Sequence, residues 1–119
     1  MTNLSICVFC GSKEGTDKRF AQLARELGTA LAQESYQLVY GGAQIGIMGA
    51  VADAALQAGG KVIGVIPEAL SDREVAHEGL TDLIITSDMH TRKKKMYSLA
   101  DAFVALPGGM GTLEEIFEA

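Results

Sequence analysis

A glycine-rich stretch near residue 108 carries the clearest chemical signal in this sequence of 119 residues. Gly108, Gly109 and Gly111 follow an apolar run at 102–106 and precede Thr112, where a helix is predicted to begin. Backbone N–H groups at glycine are not shielded by a Cβ atom, and those at a helix start lack intrahelical partners and favour negative charge. A strand, a glycine turn and a helix start in this order predict a phosphate-binding site.

Glu115 follows this stretch by one helical turn, close enough to act on whatever group the phosphate carries. The spacing from Thr112 to Glu115 is also that of a capping box, in which the two side chains satisfy backbone donors at the helix start. Because capping boxes are common and active sites are rare, the spacing alone favours a capping role. A catalytic carboxylate is the alternative.

A basic run, Arg92 to Lys95, is the second candidate for ligand binding. Such a run is typical of a solvated helix face. Four consecutive residues spread around a helix, so at most one or two of them can face a single site. Ser12 follows the first predicted strand and is a further candidate for ligand contact, whereas His77 and His90 are interpreted as polar surface residues.

Cys7 and Cys10 are the two cysteines of the chain and have the spacing C-x-x-C. Cys7 lies within an apolar run, and side chains three residues apart on a strand point to opposite faces. The two histidines show no pairing pattern that would complete a zinc site. We therefore interpret both cysteines as structural thiols and expect no metal.

Alternating apolar runs and helical patterns predict the fold class. Continuous apolar strands separated by helices are typical of a parallel sheet covered on both faces. The prediction is a doubly wound α/β fold, in which ligands bind beyond the carboxyl ends of the strands. Strands are predicted at 4–10, 38–40, 62–66, 83–86 and 102–106, helices at 18–34, 47–58 and 88–99, and a short helix near the capping-box pattern 71–74.

Composition limits the classes of function. The net charge of −5 disfavours non-specific binding to nucleic acid, which requires Lys and Arg to neutralise phosphates. Apolar runs fall short of the roughly 20 residues of a membrane span, and the first residues lack the basic region of a signal peptide. We expect one cytoplasmic domain over 1–119. Its last predicted helix has barely begun at Ala119, which predicts that a C-terminal part is lacking.

Three motifs make the sequence similar to one known family. Residues 107–115 match the signature P-G-G-x-G-T-x-x-E, residues 89–93 resemble an M-H-x-R-K element, and residues 40–49 resemble a G-G-G-x-x-G-x-M-G turn. At Ala43 the family commonly has a third glycine. On these motifs the sequence resembles the LOG family ("Lonely guy" cytokinin-activating enzymes), whose members are often mislabelled as lysine decarboxylases.

The resemblance implies a Rossmann-like homodimer that hydrolyses the N-glycosidic bond of cytokinin or adenine nucleoside 5′-monophosphates without a metal or cofactor. The products are the free base and ribose 5-phosphate. Arg92 and Glu115 match the catalytic residues, which reverses the preference for a capping role at Glu115. A non-catalytic nucleotide-binding module or an inactive fragment is the alternative. The other residues expected to bind substrate are Gly108, Gly109, Gly111, Thr112, Lys93, Met89, Ser12 and Gly42.

Overall fold

The structure is a computed structural model that describes residues 4–9, 18–44, 46–71 and 76–106. These residues form a parallel sheet with helices between the strands. The strands are β1 (Ser5–Phe9), β2 (Gln37–Tyr40), β3 (Val62–Pro67), β4 (Asp82–Thr86) and β5 (Ala102–Ala105). The helices are α1 (Lys18–Gln33), α2 (Gly46–Gln57), α3 (Glu68–Ser71) and α4 (Met89–Leu99).

The strand order β4-β3-β2-β1-β5 confirms the predicted doubly wound fold. The chain adds β2, β3 and β4 in one direction from β1 and then returns to place β5 on the other side of β1, and every pair is parallel. Because crossovers are right-handed, this reversal moves the connecting helix to the other face of the sheet. Accordingly, α1 and α2 pack on one face and α4 packs on the other.

The central strands divide the core into two layers because successive side chains point to opposite faces. Ile6 and Val8 of β1 pack with α1 and α2, whereas Cys7 and Phe9 pack beneath Met96 of α4. Cys7 is fully buried, which confirms its interpretation as a structural thiol, and Cys10 lies outside the described residues.

Burial at the sheet edges differs from the prediction that every apolar strand is covered on both faces. The prediction holds for the inner strands β1, β2 and β3, but β4 is only partly buried and β5 is largely exposed. Phe103 of β5 is 41% exposed and Ile85 of β4 is 55% exposed. The physical reason is position, since β4 and β5 are the two outermost strands of the described sheet.

Two local predictions also need correction. The helical spacing of the apolar residues in α1 predicts that Leu23 is buried, but it is 44% exposed, because the stripe that reaches the sheet is formed by the residues at 20, 24, 27 and 31. The short helix α3 comes earlier than the pattern at 71–74 and follows Pro67 directly. Residues 72–75 lie outside the described part of the chain. None of the described helices is long and apolar enough to cross a membrane.

Close packing between α1 and α2 depends on Gly28. A Cβ atom at this position would lie 2.3 Å from the carbonyl oxygen of Val51 and 3.2 Å from Cβ of Ala54. Both helices pack against the same face of the sheet, so neither can move away from the other without exposing part of the core. The glycine therefore sets the distance between the two helices.

We expect Gly28→Ala to lower the free energy of unfolding by about 1–2 kcal/mol. Overpacking costs roughly 1–3 kcal/mol, whereas alanine gains at most about 1 kcal/mol of helix propensity over glycine. Urea denaturation measures the difference. Thr29→Ala, at the next position, adds no atom and is the matched control. A stability gain in Gly28→Ala would contradict the close packing of α1 on α2.

Candidate active site

The carboxyl ends of the strands meet at one edge of the sheet, and β1 and β5 are neighbours there. The N–H group of Leu106 donates to the carbonyl oxygen of Phe9 at 2.8 Å, so the chain leaves both strands side by side. This is the point where the strand order reverses, the usual ligand-binding position of such folds. The expected site residues that follow these strands lie outside the described residues and stay predictions: Ser12, Gly108, Gly109, Gly111, Thr112 and Glu115.

Helix α4 begins at this same edge, and its first turn positions Arg92. Asp88 is the N-cap, and its side chain accepts a hydrogen bond from the backbone N–H of Thr91 at 2.7 Å. That backbone bond, and then a bond from the Thr91 hydroxyl, hold the pKa of the Asp88 carboxyl below its ordinary value of 3.8. The carbonyl oxygen of Asp88 accepts from the N–H of Arg92 and from the hydroxyl of Thr86.

The guanidinium of Arg92 is buried and bonded to the backbone of two strands. Its Nε donates to the carbonyl oxygen of Val65 in β3 at 2.8 Å, and its Nη2 donates to that of Gly41, directly after β2, at 2.9 Å. The whole residue is only 7% exposed. A buried charge is costly unless hydrogen bonds replace its hydration, and these carbonyl oxygens provide that replacement.

Gly41 leaves the space that Arg92 occupies. A Cβ atom at Gly41 would lie 2.0 Å from Nη2 of Arg92 and 3.0 Å from Cε of Met48. A side chain at position 41 would therefore displace the guanidinium from its carbonyl acceptor. The glycine at the start of this turn is required by an arginine 51 positions later in the chain.

Of the residues expected to bind substrate, three lie within the described chain. The sulfur of Met89 is 3.5 Å from Nη1 of Arg92, and the Met89 side chain is 45% exposed. Gly42 directly follows the glycine that accepts from Arg92. Lys93 is half-buried. The structure thus places Met89 beside Arg92 and Gly42 next in the chain to its acceptor Gly41, while Lys94 and Lys95 are exposed, as is typical of a solvated helix face.

Sequence reasoning was wrong about His77, which was interpreted as a surface residue. His77 is 8% exposed, and its Nε2 lies 2.5 Å from Oδ1 of Asp53 on α2. The backbone N–H group of His77 donates to the carbonyl oxygen of Gly42 at 2.8 Å. His90 is exposed, as predicted.

The backbone acceptors of Arg92 were also missed. No feature of the sequence marks the carbonyl oxygens of Gly41 and Val65 as ligands for a side chain, because every residue has such an oxygen. The glycine pair 41–42 was the available signal, and of the two only Gly42 was expected to bind substrate. The described residues contain no cluster of three or more metal-ligating side chains.

Comparison with known proteins identifies the family. A family model described as "possible lysine decarboxylase" matches residues 48–119, more than half of the chain. The chain belongs to this family, the LOG family. It is 52% identical over 118 residues to a cytokinin riboside 5′-monophosphate phosphoribohydrolase of Rhodococcoides fascians, covering 98% of this chain and 60% of that protein. An Arabidopsis thaliana protein of the same name is 49% identical, and the match covers 95% of this chain and 53% of that protein.

Solved structures show the same fold. The Moco carrier protein of Chlamydomonas reinhardtii matches with a TM-score of 0.85 at 27% identity, covering 99% of this chain and 70% of that one. The molybdenum cofactor binding protein of Rippkaea orientalis matches with a TM-score of 0.83 at 26% identity, with 98% and 70% covered. The chain therefore spans about half to two thirds of the length of its relatives.

The fit between Gly41 and Arg92 can be tested by combining substitutions. Gly41→Ala alone removes the space for the guanidinium, and Arg92→Ala alone leaves buried carbonyl oxygens unsatisfied at about 1–3 kcal/mol each. In the double variant the new methyl group occupies vacated space. We expect its loss of unfolding free energy to be smaller than the sum of the single losses by about 0.5–3 kcal/mol in urea denaturation.

The control for this cycle is Gly59→Ala, because a Cβ atom at Gly59 meets nothing within 4 Å. Its cost comes from the backbone, which has a φ of 83°, and not from a contact with Arg92. The effects of Gly59→Ala and Arg92→Ala should therefore add. If the losses of unfolding free energy for Gly41→Ala and Arg92→Ala were also additive, the steric fit between Gly41 and Arg92 would be refuted.

The N-cap of α4 predicts a pH dependence. The folded-state pKa of Asp88 is lowered, so its stabilising effect is present above the unfolded value and is lost as the pH falls through the lower folded value. Asp88→Asn keeps a capping oxygen without the charge. We expect the melting temperature of the native protein to exceed that of the variant at pH 7, with the difference beginning to fall near pH 3.8 and vanishing only below the lowered pKa of the folded state. A difference that does not change with pH would contradict the capping bond.

Proposed function

We propose that this protein hydrolyses the N-glycosidic bond of a purine nucleoside 5′-monophosphate, AMP or a cytokinin ribotide, to the free base and ribose 5-phosphate. The names of relatives about 50% identical to the chain support this reaction. The observation that carries the proposal is the buried guanidinium of Arg92, bonded to two strands at the edge where the phosphate-binding motif follows β5.

Breaking the bond to the base develops oxocarbenium character on the ribose, as in glycoside hydrolysis. In this proposal the turn of residues 108–112 binds the 5′-phosphate and so places C1′ reproducibly, which is catalysis by orientation. Glu115 presents its carboxylate to the developing positive charge. The phosphate site and the reacting bond are separate, so substrate affinity and bond cleavage depend on different residues.

Arg92 contributes a positive charge whose position is set before substrate binds. Its bonds to Gly41 and Val65 leave the guanidinium little freedom to reorient. A preorganised charge stabilises a transition state without the cost of moving at the moment of reaction. Met89, half-exposed beside Arg92, offers an apolar surface for the ribose or base.

We also propose that the 119 residues form one nucleotide-binding domain of a cytoplasmic homodimer. The family resemblance suggests the dimer and the compartment. Exposed apolar side chains on the two outer strands are consistent with a protein contact: Ile85 on β4 and Phe103 on β5.

A carrier function is the second candidate. The names of the two solved relatives describe carriage or binding of the molybdenum cofactor, and their fold covers almost all of this chain. A phosphorylated ligand would use the same glycine-rich turn without bond cleavage. In that case the protein binds its ligand and releases no product.

The decisive experiment compares AMP with adenosine. We expect the purified protein to release adenine from AMP with kcat/KM at least about tenfold higher than from adenosine, because binding energy at the phosphate helps orient the bond. Chromatographic measurement of free adenine checks this. Glu115→Gln should lose base release and keep AMP affinity within a few-fold by calorimetry.

Three outcomes would contradict the proposal. Equal activity on adenosine would remove the role of the phosphate turn. Equal loss of AMP binding and base release in Glu115→Gln would remove the catalytic role of Glu115. Binding of AMP without any release of adenine by the native protein would favour the carrier function.

A further inference from the structure

His77 and Asp53 form a polar pair outside the residues assigned to the proposed reaction. Nδ1 of His77 accepts a hydrogen bond from the backbone N–H of Gly79 at 2.9 Å. Because Nδ1 is an acceptor, the proton of the neutral ring is on Nε2 and is donated to Oδ1 of Asp53. Both ring nitrogens therefore have partners, and the imidazole is held in one orientation.

The two partners differ in burial. The side chain of His77 is 9% exposed, whereas that of Asp53 is 54% exposed. Asp53 is on α2, and His77 belongs to the segment that precedes β4. The pair thus ties this segment, residues 76–79, to the surface of a helix on one face of the sheet.

The same segment holds the turn that follows β2. The backbone N–H of His77 donates to the carbonyl oxygen of Gly42, and Ala76 forms an isolated antiparallel β-bridge with Ala43. The carbonyl oxygen one residue earlier, on Gly41, accepts from Arg92. Consecutive carbonyl groups of one turn are therefore bound by the 76–79 segment and by the guanidinium.

We infer that His77 and Asp53 are positioning residues for Arg92, acting through the turn at Gly41 and Gly42. This inference rests on the proposed function, in which Arg92 takes part in the reaction. When Asp53 no longer holds the imidazole, the 76–79 segment can move away from the turn, and the acceptor of Arg92 moves with it. Displacements of about 1 Å can reduce the rate of an enzyme by about 100-fold.

The first test is Asp53→Ala in the full chain, with AMP as substrate. Since Asp53 is half-exposed, its truncation leaves the core intact. We expect kcat to fall about tenfold while KM changes less than about twofold, because the phosphate turn is separate. Asp53→Asn should recover kcat to within about twofold of the native value, since its amide oxygen can still accept from Nε2.

Gln57→Ala is the matched control, since Gln57 is an exposed residue one turn later on the same helix. It should leave kcat unchanged. A lower melting temperature of Asp53→Ala with an unchanged kcat would overturn the inference, because the pair would then stabilise the fold without positioning the site. Failure of Asp53→Asn to recover kcat would also overturn it.

A second readout does not depend on catalysis. Asp53→Ala and Arg92→Lys are combined in a double-mutant cycle, and unfolding free energies are measured in urea. Coupling between the two substitutions is expected if the turn connects them, and additivity would overturn the inference. If the native protein releases no base from AMP, the proposed function fails, and this cycle alone then decides whether Asp53 and Arg92 are connected.

Discussion

The hydrogen bonds of Arg92 to the backbone of Gly41 and Val65 are the interaction on which the candidate site depends. They satisfy the hydrogen-bonding groups of the side chain and of the backbone together. A guanidinium that is largely removed from water needs acceptors, and the carboxyl ends of parallel strands offer carbonyl oxygens. The consequence is a positive charge held at a set distance from two strands. Gly41 is the steric requirement of this arrangement, since a side chain there would occupy the place of the guanidinium.

The reversal of strand order places this charge at the carboxyl edge of the sheet. Helix α4 connects β4 to β5 on the face opposite α1 and α2, and its N-terminus therefore opens at the carboxyl edge of the sheet. The N-cap at Asp88 sets where the helix begins and so where Arg92 lies on it. The neighbouring ends of β1 and β5 then carry the chain into the segments with Ser12 and the glycine-rich motif.

The fold was largely predictable from the sequence, and the errors have physical causes. Strand and helix bounds agree with the prediction to within one residue at almost every end of the long elements, because continuous apolar runs and helical periodicity are local properties. Burial was predicted less well. Leu23, Ile85 and Phe103 are apolar yet exposed, since burial depends on which elements lie outermost and on which stripe of a helix reaches the sheet.

The contacts of the candidate site could not be predicted from the sequence. The sequence motifs marked Arg92, and the structure places its guanidinium beside Met89 and in a hydrogen bond to Gly41, the residue before Gly42. His77 was misassigned because a histidine among polar and small residues gives no local sign of burial. Its partners Asp53, 24 positions earlier, and Gly42, 35 positions earlier, become neighbours only when α2 and the β2 turn are assembled on the sheet.

The sequence by itself determined the order and type of the elements, the doubly wound class and the glycine and arginine motifs of the LOG family. These depend on side-chain periodicity and on residue identity, both of which act over a few neighbouring positions. Only the tertiary structure decided that Arg92 binds backbone carbonyl oxygens of β3 and the β2 turn, and that His77 connects the same turn to Asp53. Such bonds join groups 24 to 51 residues apart, and a backbone carbonyl carries no signal in the sequence until the chain is folded.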